Sequence, residues 1–337
     1  MAGRPRWTVM AAFLAKRLLL MVPTFLGITL LTFVLAHLAP GDPLTLATET
    51  PSAAGREVLE QLKEDQGLHL PLHQQYARWL SRVVRLDFGR STQDLRPVTE
   101  KIGESLPKTL LLSFLALFFS YVIAVPLGVL SAVKRGTLFE RVVTVGLFVL
   151  YSLPSFWVAV MLLLYFAGGR AFDWFPMQGL TSPGFEGLSF WGKVFDVAWH
   201  LVLPVVCLSY ASLASISRYM RSGMLEVIRQ DYIRTARAKG LPERVVVFKH
   251  ALRNGILPVV TLLGLMLPHL LGGSVVVERI FGIQGMGLLA LEAIFHRDYP
   301  MVMGVTTLVA LFTMGSTLLA DVLYALFDPR IGVEEAR

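Results

Sequence analysis

The chain has 337 residues, of which 54% are hydrophobic and 16% are charged, and its mean hydropathy is +0.60. This composition excludes a water-soluble domain, whose surface needs about 25–35% charged residues. The net charge of +7 suits a basic membrane flank as well as a nucleic-acid surface, and its distribution along the chain favours the first.

Six apolar stretches are each long enough to cross a bilayer core of roughly 30 Å, which takes about 20 residues. The only Asp, Glu, Lys or Arg within them is Asp321. We therefore predict an all-α integral membrane protein with six transmembrane helices. The predicted spans are residues 18–38, 109–133, 142–169, 197–217, 254–277 and 300–327.

Several prolines lie inside these spans, where neighbouring helices can satisfy the carbonyl groups that proline leaves unpaired. We expect kinks and not loops at these positions. They are Pro23, Pro126, Pro154, Pro204, Pro258 and Pro268.

The basic residues are distributed unevenly between the two sides of the predicted bundle. Eighteen Lys and Arg fall in the termini and in segments 134–141 and 218–253, whereas the short loops 170–196 and 278–299 hold two each. Basic residues of short loops concentrate on the cytoplasmic side. We therefore predict cytoplasmic N and C termini, with no nucleic-acid partner.

The external stretch between the first two spans is too long for a simple connector. Residues 52–68 carry Val58, Leu59 and Leu62 on one helical face, and residues 71–84 repeat the pattern. In that second helix the apolar residues are Tyr76, Leu80 and Val83 or Val84. This helical region could dock an external partner or cap the ends of the spans.

The segment 218–253 has nine basic and three acidic residues between two apolar spans. Its pattern predicts a helix that stops at Gly240 and a second helix that starts at Pro242 and Glu243. Apolar residues recur at helical spacing on one face, and arginines occupy the rest. The apolar set is Met224, Leu225, Ile228, Tyr232 and Ala236, and the basic set is Arg221, Arg229, Arg234 and Arg237.

Three interpretations of this segment compete. A solvated basic loop would need the charges but not the apolar face. A helix lying on the membrane surface would use both, and so would a short helix inserted into a groove of a soluble partner. Periodicity alone leaves the last two open.

The string "DYIRTARAKGL", residues 231–241, resembles the EAA loop of permease subunits of binding-protein-dependent ATP-binding-cassette importers. With Gly240 as the anchor, the Glu-Ala-Ala positions fall on 234–236 and the later Ile, Leu and Pro positions on 250, 252 and 253. Only Ala236, Gly240 and Leu252 agree with the general motif. The string, followed by "HALRN" and Pro258, is similar to the variant of the peptide and nickel branch.

Further strings extend this resemblance over almost the whole chain and on the predicted sides. They are "LAPGDP", "DFGRST", "PVTEKIGESLPKTL", "YSLPSFW" and "ERIFGIQGMGLLALEAIFHRDYPMV". All are similar to the first permease of dipeptide and oligopeptide importers. The resemblance implies two parts: residues 1–108, with the first span and the external region, and residues 109–337, a five-helix permease core with a coupling loop at 218–253.

In that family the EAA loop docks on a cytoplasmic ATPase, so the resemblance assigns ATPase coupling to a continuous set of residues. The set is Asp231, Tyr232, Arg234, Thr235, Ala236, Arg237, Lys239, Gly240 and Leu241. It also implies a second permease, two cytoplasmic ATPases and an extracytoplasmic binding protein. Dipeptides, longer peptides, a nickel complex and glutathione all stay open as substrates.

The chain itself shows no nucleotide site or catalytic constellation. "GLSFWGKV", residues 187–194, has phosphate-loop spacing, but Val194 stands where a Ser or Thr must hold magnesium. We expect no metal site and no cofactor on this chain, with ATP and Mg²⁺ used by the partner ATPases.

One residue is a candidate for the substrate pathway, and two other functional classes compete with a permease. His269 lies within the fifth predicted span, where buried ionisable groups often line pathways. An ion-coupled secondary transporter would need more intramembrane acids than Asp321. An intramembrane hydrolase would need a nucleophile and a base brought together, and no spacing does this.

Overall fold

The structure is a computed structural model that describes residues 6–38, 67, 69–170, 172–266, 270 and 273–327. Within these ranges the chain is helical, and the only β-type pairing is an isolated bridge between Arg90 and Pro97. The helices are α1 (Arg6–Leu38), α2 (Leu72–Val83), α3 (Val98–Val133), α4 (Leu138–Ser152), α5 (Ser155–Phe166), α6 (Phe190–Ile228), α7 (Asp231–Ala238), α8 (Glu243–Gly255), α9 (Leu257–Met266), α10 (Val275–Ile280), α11 (Met286–Phe295) and α12 (Tyr299–Phe327).

Four helices are long and apolar enough to cross a membrane without interruption: α1, α3, α6 and α12. Two bent pairs, α4 with α5 and α8 with α9, pass the same test only when each pair is taken together. The described residues therefore hold four uninterrupted candidate spans, or six if each bent pair crosses as one. Pro23 and Pro204 lie inside helices, as predicted.

The prediction of one kinked helix over 142–169 is wrong. α4 ends at Ser152, α5 begins at Ser155, and their axes differ by 99°. Leu153 is extended, with φ −78° and ψ 132°, because the proline that follows it disfavours the α conformation. Pro154 also lacks the N–H that would continue the helix, so it ends α4 completely.

The predicted span 254–277 is also interrupted. α8 and α9 meet at an angle of 46° near Ile256, and α10 begins only at Val275. Pro268 and His269 lie outside the described residues. The predicted external helix at 52–66 lies outside them too, whereas the second one is α2, whose last residue Val83 is buried and is followed by the exposed Val84.

The chain divides into two compact units, residues 1–109 with 285–337 and residues 110–284. In the first unit, α1, α2 and the start of α3 pack with α11 and α12 around buried apolar side chains. These are Val83, Phe88, Val98, Ile102, Met286, Leu289, Ala293, Met301 and Val305.

Two strings that are far apart in the sequence meet in this first unit. The buried carboxylate of Asp298, in "HRDYP", accepts hydrogen bonds from the Ser91 hydroxyl and from the Thr92 N–H at 3.2 Å, both in "DFGRST". Thr109 Oγ1 accepts a hydrogen bond of 2.7 Å from the Met286 N–H. A buried carboxylate is stable only when its oxygens are hydrogen-bonded. The bonds that Asp298 accepts therefore fix the loop before α3 against the start of α12.

In the second unit α6 is the central helix and packs against α4, α5, α8 and α9. Glycines allow its closest contacts. A Cβ added at Gly128 of α3 would lie 2.6 Å from Met220 Cβ, and one added at Gly223 would overlap the carbonyl oxygen of Gly255 on α8. Close backbone approach through small residues is the usual packing of helices in membranes.

Candidate functional site

The candidate segment forms a helix, a tight turn and a second helix, as the sequence predicts. α6 ends at Ile228, and Gln230 is extended, with φ −70° and ψ 149°. α7 then begins at Asp231, whose carboxylate suits the positive end of a helix dipole. The chain direction therefore changes at Gln230, between the long helix α6 and the short helix α7.

Gly240 closes α7 through a Schellman motif. The Gly240 N–H donates to the Arg237 carbonyl at 2.9 Å, and the Leu241 N–H donates to the Ala236 carbonyl at 3.4 Å. This motif needs a residue with positive φ, and Gly240 has φ +77°. The space around it is open, because no atom lies within 4 Å of an added Cβ. Glycine is thus required here by backbone conformation and not by crowding.

The buried face of α7 consists of Ile233 and Ala236. Ile233 is fully buried, and both residues join the apolar cluster of the second unit with Met220 and Met224 of α6 and Val247 of α8. The predicted apolar face that combines Tyr232 with Ala236 is not a single face in the structure, since 42% of Tyr232 is exposed whereas Ala236 is buried. The break at Gln230 resets the helical phase, so the spacing counted from Met224 does not carry over into α7.

An ion pair holds the two sides of the turn together. Arg237 Nε donates to Glu243 Oε2 at 3.1 Å, and Arg237 Nη2 donates to Glu243 Oε1 at 2.7 Å. This two-point contact lowers the pKa of the Glu243 carboxyl below its ordinary value. A second link joins Asn254 Nδ2 of α8 to the Tyr232 hydroxyl at 2.9 Å. The elbow formed by α7 and Gly240 is therefore fixed on both its buried and its exposed side.

The remaining predicted coupling residues form one exposed surface. Arg234 forms an ion pair with Asp231 at 3.5 Å, and both side chains are highly exposed. Apolar surface accompanies these charges at Tyr232 and Leu241. The exposed set is Asp231, Tyr232, Arg234, Thr235, Arg237, Lys239, Gly240 and Leu241, while Ala236 alone of the predicted residues is buried.

Comparison with known proteins identifies the family to which this chain belongs. The family described as "Binding-protein-dependent transport system inner membrane component" matches residues 124–333. Its N-terminal companion, "Binding-prot-dependent transport system membrane comp, N-term", matches residues 10–113. The chain belongs to this family of permeases. The resemblance stated from the sequence is therefore confirmed.

Relatives match the permease over nearly its whole length. "Oligopeptide transport system permease protein AppB" of Bacillus subtilis is 43% identical over 96% of this chain and 99% of its own. "Dipeptide transport system permease protein DppB" of Escherichia coli K12 is 40% identical over the same shares. A solved structure of the MetNI methionine ABC transporter is similar over 67% of this chain and 97% of its own, at 19% identity and a TM-score of 0.48.

A further contact joins the base of the elbow in the permease to α4. Glu140, in the first turn of α4, forms an ion pair with Arg221 of α6, and Glu140 Oε2 also accepts a hydrogen bond of 2.9 Å from the Gly136 N–H. Sequence analysis missed this pair because 81 residues separate its members. The only local signal was an isolated acid beside three basic residues in the short loop before the span.

Other sequence candidates do not add to the site. Lys193 of the phosphate-loop-like string binds Glu186 at 3.2 Å and lies over the Phe185 ring. Among the residues that the structure describes, no group of three or more His, Cys, Asp or Glu side chains could hold a metal ion. His269 lies outside those residues, so its assignment to the substrate pathway stays a prediction.

Proposed function

We propose that this permease forms, with a second permease subunit, the translocation path of an ATP-driven peptide importer in a bacterial inner membrane. The observation that carries the proposal is the elbow of α7 and Gly240, whose inner face is packed into the helix bundle while its outer face is exposed. Because the EAA loop of this family docks on a cytoplasmic ATPase, family membership supports an ATPase as the partner of the elbow. The relatives named for oligopeptides, dipeptides, and di- and tripeptides support peptides as the substrate class.

The elbow would transmit force because its inner face is part of the packed core of the second unit. Ile233 and Ala236 join the same buried apolar cluster as Met220 and Met224 of α6 and Val247 of α8, and well-packed interiors transmit displacement because they deform little. Two cytoplasmic ATPases would bind the exposed face, and closure of their nucleotide sites on ATP and Mg²⁺ would displace α7. That displacement would reach the spans through α6 and α8.

The assembly around the permease follows from its family and from the charge distribution. Eighteen Lys and Arg on the predicted inner side support the proposal that the elbow and both termini lie in the cytoplasm, with each bent pair crossing as one of six spans. An extracytoplasmic binding protein would then deliver peptide to the opposite face. Alternating access between the two faces would be driven by the partner ATPases. An ion-coupled secondary transporter is not favoured by the family.

A pair of glycines provides the test. Gly240 and Gly184 both have positive φ, +77° and +85°, and both have open space around an added Cβ. Valine at either position therefore imposes the same kind of backbone strain, about 1–2 kcal/mol, but only Gly240 belongs to the elbow. We expect Gly240→Val to uncouple ATP hydrolysis from peptide uptake in membrane vesicles, and Gly184→Val to leave uptake near the unmodified level.

Ala236→Asp provides an independent variant, because it places a charge in the buried apolar cluster that α7 shares with α6 and α8. It too should reduce uptake more than ATP hydrolysis. Normal uptake in both Gly240→Val and Ala236→Asp, with the proteins inserted in the membrane, would contradict the proposed coupling role. Uptake driven by an ion gradient without any ATPase would contradict the proposed energy source.

A further inference from the structure

A long groove runs between α1 and α12 in the first unit. Its volume is about 470 Å³, which lies within the range of about 300–1,000 Å³ found for ligand pockets. α1 lines it from Arg17 to Ile28, and α12 lines it from Thr306 to Asp321. Both helices are candidate membrane spans, and in the proposed six-span arrangement the groove lies at the depth of the bilayer.

The groove is long enough for a hydrocarbon chain. At about 1.5 Å per residue, α1 lines the groove over about 17 Å. An extended chain of methylene groups, whose contacts with neighbouring carbon atoms are about 3.5–4.0 Å, can lie along this length.

The lining is apolar along its length, although it includes threonines. Thr24 donates its hydroxyl proton to the Leu20 carbonyl at 2.9 Å, Thr306 to the Val302 carbonyl at 2.6 Å, and Thr317 to the Thr313 carbonyl at 2.8 Å. These hydroxyls are satisfied within their own helices and require no polar ligand. The apolar lining residues are Leu20, Met21, Ile28, Val309, Ala310, Met314 and Leu318.

One end of the groove carries charge, in contrast to the rest. Arg17 Nε lies 3.1 Å from Asp321 Oδ2, and 40% of the Arg17 side chain is exposed. Lys16 precedes it and is exposed as well, so the end carries a net positive charge. A guanidinium group presents five donors in a planar fork and can bind a carboxylate and a phosphate together. In the proposed orientation this end lies at the cytoplasmic headgroup level.

We propose that this groove binds an anionic phospholipid of the inner leaflet. One acyl chain lies between α1 and α12, and the phosphate lies at Lys16 and Arg17. An apolar channel with one cationic end matches an amphiphile with one chain and an anionic head. The site goes beyond the proposed transport function, and it rests on that proposal only for the orientation of the spans.

Native mass spectrometry of the purified full-length permease tests the headgroup. Phosphatidylglycerol should bind more tightly than phosphatidylcholine with the same chains, and Lys16→Gln should reduce this preference about fivefold, since one basic residue near a membrane surface contributes about that factor. Arg135→Gln, in the loop before α4, is the matched control and should leave the preference unchanged. Equal binding of the two lipids by the unmodified permease would overturn the proposal.

Filling the groove tests the chain position. Thr313→Phe places a ring in the middle of the groove, whereas Leu319→Phe places one on an exposed part of the same helix that does not line it. We expect Thr313→Phe to lower the amount of copurified phosphatidylglycerol at least about fivefold and Leu319→Phe to leave it unchanged. Equal retention by both variants would count against the site.

A photo-crosslinking side chain at position 313, activated in native membranes, identifies the occupant without depending on the stability of the Phe variant. An adduct with the mass of a phospholipid supports the proposal. An adduct that contains a second polypeptide would show that another subunit covers the groove, and the proposal would then be wrong. Peptide uptake is not measured in any of these tests, so their failure would leave the proposed function standing.

Discussion

Helices α1 and α6 are both apolar enough to cross a membrane, but they are packed very differently. In the most apolar stretch of α6, 50% of the residues are buried, whereas in that of α1 only 11% are. α6 packs against helices on several sides and carries the elbow at its end. α1 packs mainly along α12 and leaves a groove there. Hydropathy thus identifies a span, while packing identifies the helix that can transmit force.

The largest expected effect comes from removing the buried anchor of the elbow. Ile233→Ala deletes a fully buried side chain beside α6 and should lower the free energy of unfolding by about 3 kcal/mol. Leu19→Ala on α1 is the matched change at a side chain that is 73% exposed, and it should cost less than about 0.5 kcal/mol. Thermal unfolding in detergent compares them. Equal loss of stability would contradict the contrast between α6 and α1.

A pair of glycine substitutions gives the next effect. Gly223→Ala forces a Cβ into the carbonyl of Gly255 on α8 and should destabilise the permease by about 2 kcal/mol. Gly27→Ala on α1 meets nothing within 4 Å and should stabilise its helix by about 0.5–1 kcal/mol. The opposite signs can be measured in one unfolding assay. If Gly223→Ala were as stable as Gly27→Ala, α6 and α8 would be packed less closely than the distance between Gly223 and Gly255 indicates.

A charge exchange sharpens the comparison at the base of the elbow. Glu140→Lys places two cations together at the contact between α4 and α6 and should lower the melting temperature. Adding Arg221→Glu should restore most of the loss, because the exchanged charges attract again. A double variant no better than the single one would mean that the ion pair does not connect α4 to α6.

The smallest effect concerns the first unit and depends on pH. The hydrogen bond from Arg82 lowers the pKa of Asp87, whose carboxylate also accepts the Gly89 N–H at 2.9 Å. A carboxyl group whose pKa is lower in the folded state than its ordinary value of about 3.9 stabilises the fold at pH values above that ordinary pKa. This contribution is lost as the pH falls through the pKa of the folded state. Protection of the Gly89 amide from hydrogen exchange should therefore decrease between about pH 5 and pH 3.

Asp87→Asn is the control for this titration, because an amide does not ionise in that range. In this variant the protection of Gly89 should be weaker at both pH values and independent of pH. An unchanged pH dependence in Asp87→Asn would assign the titration to another carboxyl group.

Sequence reasoning predicted the elements that depend on local signals. The uninterrupted spans follow from the length of apolar runs, and the turn at Gly240 follows from the conformational freedom of glycine beside Pro242. Asp298 and Ser91 lie in strings that carried the family resemblance, yet their contact is not visible in either string alone.

Three features could not be predicted, and each has a physical reason. Pro154 ends α4, whereas Pro23 and Pro204 remain inside their helices, and the sequence around each proline does not distinguish these outcomes. Ile233, and not Tyr232, lies on the same face as Ala236 because the extended residue Gln230 shifts the helical phase. The pair of Glu140 and Arg221 joins positions whose proximity depends on how α4 and α6 pack.

Photo-crosslinking from position 232 in native membranes tests the central claim most directly. Tyr232 is on the exposed face of α7, and Leu138, exposed at the start of α4, provides a control position outside the elbow. The account predicts an adduct between position 232 and a copurifying ATPase subunit, with a much weaker one from position 138. Adducts from position 232 with lipid alone, and none with a nucleotide-hydrolysing subunit, would contradict it.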